Sequence, residues 1–531
     1  MKVAMVMLDP ALGKRGHRAG GAIYALRSYL EGLNPYSEHI DTQIFSFNSL
    51  YTGPVNIYIT ALINYQPDVI AFSTYCWNIE LVKNIASTIK AILPDVTILL
   101  GGPEVSYNSE EVLGQCPHID IIIRGEGEVT FSEVISCIYR EDNFTSIDGI
   151  TYKDKQGKVI YNQDRELHPN LDDFPSPFLN NFSIFAECDG EVAYESVRGC
   201  KFNCSYCLHT KGLHHVREYS MERVEAELKC ILSSPHVKIL WFMDPTFNAD
   251  EERALKILKI VEKYRPDMPL AFELRADLLT DALIDQLGKL HVAEVGIGLQ
   301  SYSEEVNKHI HRTNNVNTIE GKIRRLHKAI GKTCDQFDID LIYGLPGDQY
   351  ENYKKSVDYI IELGGRIHYQ PLRVFKGTQL NDDVEKYGIS YNQVAPYNIL
   401  FNSTYNIPQM IKSYCLNVGI DFVNQKGIYL EIIHDMAQLS DCRYSDILET
   451  LGDYFWSNRI YDIFRVSNWS DDDRSDRTVF ADFRLAVCDW LHKFGDTSLT
   501  HEIQAKIGGY IPENNTYQDS ISQFGYFSLT I

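Results

Sequence analysis

The stretch VAYESVRGCKFNCSYCLH, Val192 to His209, runs a β-rich segment straight into three cysteines, Cys200, Cys204 and Cys207. Thiolates hold zinc ions or iron–sulfur clusters. A zinc site would need a fourth ligand. His209 would supply it as C-x3-C-x2-C-x-H, which is cramped beside the two separated ligand pairs of structural zinc sites. A four-iron cluster on three cysteines instead leaves one iron without a protein ligand. An open coordination position is where a metal takes up a substrate or a cofactor.

Downstream of this stretch, β and α patterns alternate. The strands are VAYESV (192–197), VKILWFMD (237–244), PLAFELRAD (269–277), VAEVGIGLQS (292–301), FDIDLIYGLPG (337–347) and HYQPLRVF (368–375). Helical periodicity fills Met221–Leu232, Glu251–Tyr264, Leu279–Leu290 and Tyr350–Leu363. The pattern predicts a central (βα)6 partial TIM barrel over residues 189–385, with function at the carboxyl ends of its strands. The three cysteines follow the first of those strands directly.

Upstream, KVAMVML (2–8), TQIFSF (42–47), DVIAFST (68–74), TILLGG (97–102) and DIIIRG (120–125) alternate with helix-length segments such as Asn78–Leu93. Continuous apolar strands separated by helices predict an N-terminal Rossmann-like, doubly wound parallel sheet over residues 1–150, so the chain is α/β. Ligands of such sheets bind beyond the carboxyl ends of the strands. Those ends carry Ser73, Thr74, Tyr75, Cys76, Trp77 and Asn78, then Gly101, Gly102 and Glu104, then Gly125, Glu126 and Gly127. The glycines let a large ligand approach the backbone. A hairpin (149–162) and a Pro-rich run (169–177) place a hairpin and linker at 151–188. Residues 386–531 lose the strand rhythm and form a mostly helical C-terminal extension, with fragments at Tyr444–Phe455 and Ala481–Phe494.

Composition excludes several classes. A net charge of -22 over 531 residues argues against a nucleic-acid surface and against an anionic membrane face. MKVAMVML fits a buried strand better than a signal peptide, and no apolar run is long enough to span a bilayer. A cytoplasmic protein with reduced thiols is expected. Cys76, Cys137, Cys230 and Cys488 sit singly among apolar residues, as small buried hydrophobes do.

With Tyr206 before the last cysteine and a βα array around it, the cysteine motif resembles that of radical S-adenosylmethionine (SAM) enzymes. The resemblance implies a [4Fe-4S] cluster on Cys200, Cys204 and Cys207, reductive cleavage of SAM to a 5′-deoxyadenosyl radical, and Tyr206 near the adenine. It also implies SAM contacts from Asp244, Glu273, Arg275, Gln300 and Ser301 at successive strand ends, although Met243-Asp244-Pro245 stands where the family carries Gly-Gly-Glu. From the residues alone, Glu273 and Arg275 could equally form a salt bridge with each other. GlyLeuProGly (344–347) is similar to a family turn.

The first domain resembles the cobalamin-binding module of the B12-dependent class, through PDVIAFSTY, ILLGGPE and IIIRGEGE. Where base-off, His-on cobalamin domains have D-x-H-x-x-G, this chain has Arg15-Gly16-His17-Arg18-Ala19-Gly20, with Arg15 in place of the carboxylate. The resemblance therefore implies cobalamin without His17 on cobalt and with the 73–78 loop (Tyr75, Trp77 or Asn78) against its lower face. The implied activity is C-methylation of an unactivated carbon via methylcobalamin. The substrate would be a small molecule or peptide, and an external flavodoxin- or ferredoxin-type donor would supply electrons. A non-methylating rearrangement or cyclisation, a methylthiotransferase using Cys76, Cys116 and Cys137 for a second cluster, and a non-catalytic cobalamin or redox sensor remain open on the residues.

Overall fold

The computed structural model describes residues 1–9, 18–48, 56–179, 184–187, 190–208, 216–313, 315–424, 427–466, 486, 487 and 490. They fall into two compact units, Met1–Met410 and Ile411–Ile531.

The first unit holds two seven-stranded sheets. In the N-terminal sheet, β1 (Lys2–Asp9) pairs in parallel with β3 (Asp41–Asn48) and β4 (Val69–Ser73). β5 (Thr97–Gly101) and β6 (Ile121–Ile123) continue the parallel order. The antiparallel hairpin β7 (Ile150–Lys153) and β8 (Val159–Tyr161) closes the edge. Successive residues of β1, from Val3 to Val6, are all buried, so both faces are covered. Helix Ile79–Ile92 covers one face with Ile79, Val82, Ile85, Ala86 and Ile89. These elements match the predicted Rossmann-like sheet and hairpin.

The second sheet is the predicted partial barrel, with one added strand. β9 (Glu191–Tyr194) leads to the ribbon of β10 (Val197–Arg198) and β11 (Arg217–Glu218). β12 (Ile239–Phe242), β13 (Leu270–Leu274), β14 (Val292–Gln300), β15 (Gln336–Tyr343) and β16 (Arg366–Pro371) follow in parallel order. Side-chain caps start the intervening helices: Ser220 caps Met221–Ser233, Asp250 caps Glu251–Tyr264 and Thr280 caps Asp281–Leu287. The added strand is β2 (Arg18–Gly20), which pairs in parallel with β9 and forms the barrel's outer edge. Three residues are too few for a periodicity signal, and their pairing partner lies about 170 positions away in the chain, so β2 was not visible in the sequence. A short ribbon, β17 (Ser390–Tyr391) and β18 (Ile399–Phe401), also packs on the first unit, with Ile399 in an apolar cluster beside Ile342 and Leu345.

The described residues of the second unit are helical, while residues 386–410 of the expected helical extension, with the β17–β18 ribbon, belong to the first unit. Residues 411–424 complete helix Ile407–Asn424, followed by Gly427–Ser440 and Tyr444–Val466. The first and last of these cross at two glycines. A Cβ at Gly419 would meet Leu448 O at 2.2 Å, and one at Gly452 would meet Cys415 O at 1.8 Å. The expected helix Ala481–Phe494 lies almost wholly outside the described residues, as do His17, His209 and Cys488. Among the described residues, no helix is long and apolar enough to cross a membrane.

Candidate active site

The cysteine loop is fastened on several sides. Asp244, at the end of β12, is buried and accepts from Ser196 N at 2.7 Å, Ser196 Oγ at 2.6 Å and Val197 N at 3.2 Å. Burial pushes its carboxyl up, and the Ser196 and Val197 bonds pull it down. Arg253 donates to Ser196 O and Tyr219 O at 2.9 Å each, bracing the same strand end. Ser205 N donates to Ile310 O, and Leu380 N donates to Ser205 O. Arg275 lies 3.9 Å over the Phe202 ring and pairs with Asp277 at 2.8 Å. β13 ends at Leu274, so Arg275 leaves the strand alternation and pairs with Asp277 instead of Glu273.

Cys200, Cys204 and Cys207 are free thiols, and Cys204 is buried. Arg312 carries a guanidinium into this loop. Nη1 lies 3.8 Å from Cys204 Sγ and 3.2 Å from Tyr206 Oη, and Nη2 donates to Gly298 O at 2.7 Å. Arg312 is 8% exposed and has no ion-pair partner among the described residues; Tyr206 and Cys204, ahead of Asp277, are the groups that favour its charge. Nothing in HIHRTN marked it in the sequence, because it follows a short helix and not a strand. Cys200 opens onto a cleft of ≈ 500 Å³ lined also by Lys201, Asp244, Thr246 and Arg253.

Beyond the loop, the barrel's inner face is polar. β14 supplies Gly296 and Gly298, β15 supplies Asp338 and Asp340, and β16 supplies Arg366 and His368, aligned by register. The alternate residues Ile297, Leu299, Ile339 and Leu341 are buried on the other face. Glu273 lies across Gly296, where a Cβ would stand 2.6 Å from its carboxylate. The surrounding barrel wall first, and then the charge of Asp340, push the Glu273 carboxyl up to about 8, with His368 opposing. His368 Nδ1 meets Asp340 Oδ1 at 2.8 Å, and that bond raises the imidazole.

Gln300 ends β14 in the left-handed region (φ 65), where the register to β15 shifts. Its amide lies over Gly298, and its Oε1 is buried without a partner. Such strain marks a place where the surrounding structure over-determines a side chain. Ser301 is buried and its Oγ accepts from Ser303 N.

In the N-terminal sheet, the predicted positions divide. Thr74 is used internally, donating from N and Oγ1 to Gly101 O at 2.7 Å each. Asn78 is spent on Tyr75 N, Leu8 O and Ser73 O, and is buried. That leaves Trp77, 48% exposed and stacked on Tyr75 at 4.4 Å, as the open face of this loop. Gly102 is required by the backbone, because at φ 112 a Cβ would meet Thr74 O at 2.5 Å. Gly127 gives way to Leu26, a Cβ at Gly101 would stand in ordinary contact with Ile123, and Gly125 stays open. Glu104 is hydrogen-bonded by the Tyr397 hydroxyl, and burial pushes its carboxyl up to about 6. Glu126 takes Arg217 from the ribbon beside the cysteines (Nη1 to Oε2, 2.9 Å). Arg198, two residues before Cys200, pairs with Glu128 at 2.6 Å. The carboxylates Glu104 and Glu126, expected against cobalamin, thus meet Tyr397, between β17 and β18, and Arg217 of the ribbon beside the cysteines.

The residues fit the implied cofactors by their chemistry. Among the described residues, no three His, Cys, Asp or Glu side chains are close enough to hold one metal ion. A four-iron cluster asks for something else, one thiolate on each of three irons, and three free thiols on one braced loop beside an unpaired guanidinium supply that donor set. An open glycine and an exposed indole at the sheet ends suit a large planar ligand.

Comparison with known proteins agrees with both halves. The Radical SAM superfamily model matches residues 194–360, and the B12 binding domain model matches residues 56–135. An uncharacterized methyltransferase of Pyrococcus horikoshii, PH0819, is 25% identical over 63% of this chain and 72% of its own. The cobalamin-dependent radical SAM methyltransferase TokK of Streptomyces tokunonensis is 25% identical over 61% of this chain, and the match spans half of TokK. Among solved structures, the cobalamin-dependent SAM radical enzyme OxsB, with aqua-cobalamin and SAM bound, superposes with TM-score 0.65 and 16% identity over 96% of this chain and 81% of its own. The radical SAM methyltransferase TsrM of Kitasatospora setae gives 0.58 and 16% over 75% and 79%. These likenesses carry the fold.

Proposed function

We propose that this chain, in which a B12-binding domain precedes a radical SAM domain, is a C-methyltransferase acting on an unactivated carbon of a small molecule or peptide. When bound, the cluster and cobalamin supply an electron to SAM and a methyl group to the substrate. The carrying observation is the braced loop of Cys200, Cys204 and Cys207 at the carboxyl end of β9, beside a polar barrel interior and next to the glycine-lined ends of the first sheet.

The chain's own residues supply placement. Asp244 and Arg253 fix the strand end from which the thiols project. Arg312 neutralises charge at Cys204 and holds Tyr206. Gln300, held in a strained backbone with a free carbonyl oxygen, is poised to accept from a hydroxyl such as the SAM ribose. Trp77 would offer an apolar face to a cobalamin bound at the ends of the first sheet. Reducing equivalents come from an external donor of flavodoxin or ferredoxin type.

The test is turnover with CD3-labelled SAM, read by mass spectrometry. Expected is a product heavier by one labelled methyl, with one 5′-deoxyadenosine and one S-adenosylhomocysteine per product. Deoxyadenosine with an unlabelled product would instead favour rearrangement or cyclisation. Cys200→Ala is expected to abolish deoxyadenosine formation while cobalamin still binds, measured by absorbance. Retained cleavage would sink the ligand assignment.

A further inference from the structure

Arginines that the first unit buries or half-buries near the two sheets nearly all have carboxylates. Arg124 has Asp164, Arg198 has Glu128, Arg217 has Glu126, Arg223 has Glu227, Arg253 has Glu218 and Arg275 has Asp277. In a chain of net charge -22 this is the default arrangement. Arg265 is spent on the Ser234 and Val237 carbonyls, and Arg312 is a second exception that faces the cysteines. Arg373 is another, and no thiolate set lies beside it.

Arg373 stands just past the carboxyl end of β16 and is half-buried. Its hydrogen bonds go to neutral amides, from Nη2 to Gln370 Oε1 at 2.8 Å and from Nε to Asn398 Oδ1 at 3.3 Å. Among the described residues it forms no ion pair. Its guanidinium also reaches Cys76, in the loop that follows β4, where it opposes the rise that burial imposes on that thiol. Arg373 therefore bridges the barrel's mouth and the 73–78 loop at Cys76. The polar strip continues inward: Gln370 Nε2 lies 3.3 Å from His368 Nε2, and His368 meets Asp340. The inner end of the strip holds groups already matched to one another, His368 with Asp340 and Arg366 with Asp338, and its outer end is a guanidinium with unused donors.

We infer that Arg373 anchors an anionic oxygen group of the substrate, a carboxylate or a phosphate, at the mouth of the barrel. The inference rests on the methyltransferase reading above and names the substrate's chemical class. A planar fork with neutral partners is the geometry that takes such groups in two-point contact. Gln370 and Asn398 hold the fork in place without neutralising it.

The test uses the full-length holoenzyme with CD3-labelled SAM, a chemical reductant and a small-molecule extract of cells deleted for this gene, split by anion exchange. The retained fraction is expected to stimulate deoxyadenosine release and to yield a CD3-labelled product that is itself retained. Alkaline phosphatase treatment abolishes the stimulation if the anion is a phosphomonoester and leaves it intact if it is a carboxylate. Arg373→Gln should raise the half-saturating amount of that fraction at least tenfold, and Arg373→Lys, which keeps charge but loses the fork, by less. Stimulation only by unretained fractions, no stimulation by the retained one, or an unchanged half-saturation in both variants overturns the inference. If the retained fraction stimulates deoxyadenosine release and Arg373→Gln weakens it but no CD3 label transfers, the methyl-transfer reading fails while the anion anchor stands.

Discussion

Asp244, Arg312 and Glu104 show how one side chain's surroundings decide its use. Asp244 was expected near SAM and instead spends both oxygens on the strand end that carries the thiols. Arg312 was invisible in the sequence because its partners are 106 and 108 positions away. Glu104 stands at a predicted ligand-site strand end, yet it is buried under the Tyr397 hydroxyl. Its carboxyl sits at about 6 against an ordinary 4.5. The folded state therefore holds this proton more tightly than the unfolded chain. Stability from Glu104 is greatest below about 4.5, falls as pH rises to about 6, and is flat beyond, the total being roughly 2 kcal/mol. Glu104→Gln keeps the acceptor for Tyr397 and removes the charge. The difference between wild-type and Glu104→Gln unfolding free energies, followed by urea denaturation from pH 4.5 to 7, should widen with pH in favour of the variant. A pH-independent difference would contradict this account.

At the scale of elements, strands with strong apolar runs were legible, as were the hairpin and the helices Glu251–Tyr264 and Tyr350–Leu363, because local patterning alone specifies them. The cysteine loop was legible for the same reason, since its donor set is contiguous in the chain. β2 was not, because it exists only through β9. Its last residue explains the pairing. Gly20 lies at φ 99, and a Cβ there would come 2.1 Å from Ala193 O. Gly157, in the β7–β8 turn at φ 79, has open space around it. Gly20→Ala should therefore separate β2 from β9 and speed hydrogen exchange at the amide of Ala193, whose backbone groups face β2. Gly157→Ala should cost only about 1 kcal/mol of backbone strain, with no effect at β9. Equal exchange at β9 in both variants would refute the edge role of β2.

At the scale of the first unit, the two sheets are joined by charge as well as by β2, and the join lies next to the cysteines. Arg217, on the ribbon that flanks them, reaches Glu126 at the end of β6, and Arg198 reaches Glu128 at the start of helix Glu128–Tyr139. The Arg217 side chain is 9% exposed and Glu126 17% exposed, so salt screens the pair poorly. None of this was legible, because a sequence does not say which carboxylate faces which guanidinium across 91 positions. Removing Glu126 leaves Arg217 buried without a carboxylate, and removing Arg217 leaves Glu126 only the longer pair with Arg198 at 3.5 Å, so either change costs more than the pair itself contributes. Glu126→Gln and Arg217→Gln should each lower unfolding stability by about 2–4 kcal/mol, and the double variant by clearly less than their sum. Because the pair ties the strand ends proposed for cobalamin to the ribbon beside the thiols, each single variant should also weaken cobalamin retention on gel filtration. The double variant should recover part of that loss. Additive effects in both measurements would mean that the Arg217–Glu126 pair plays no part in holding the two halves together.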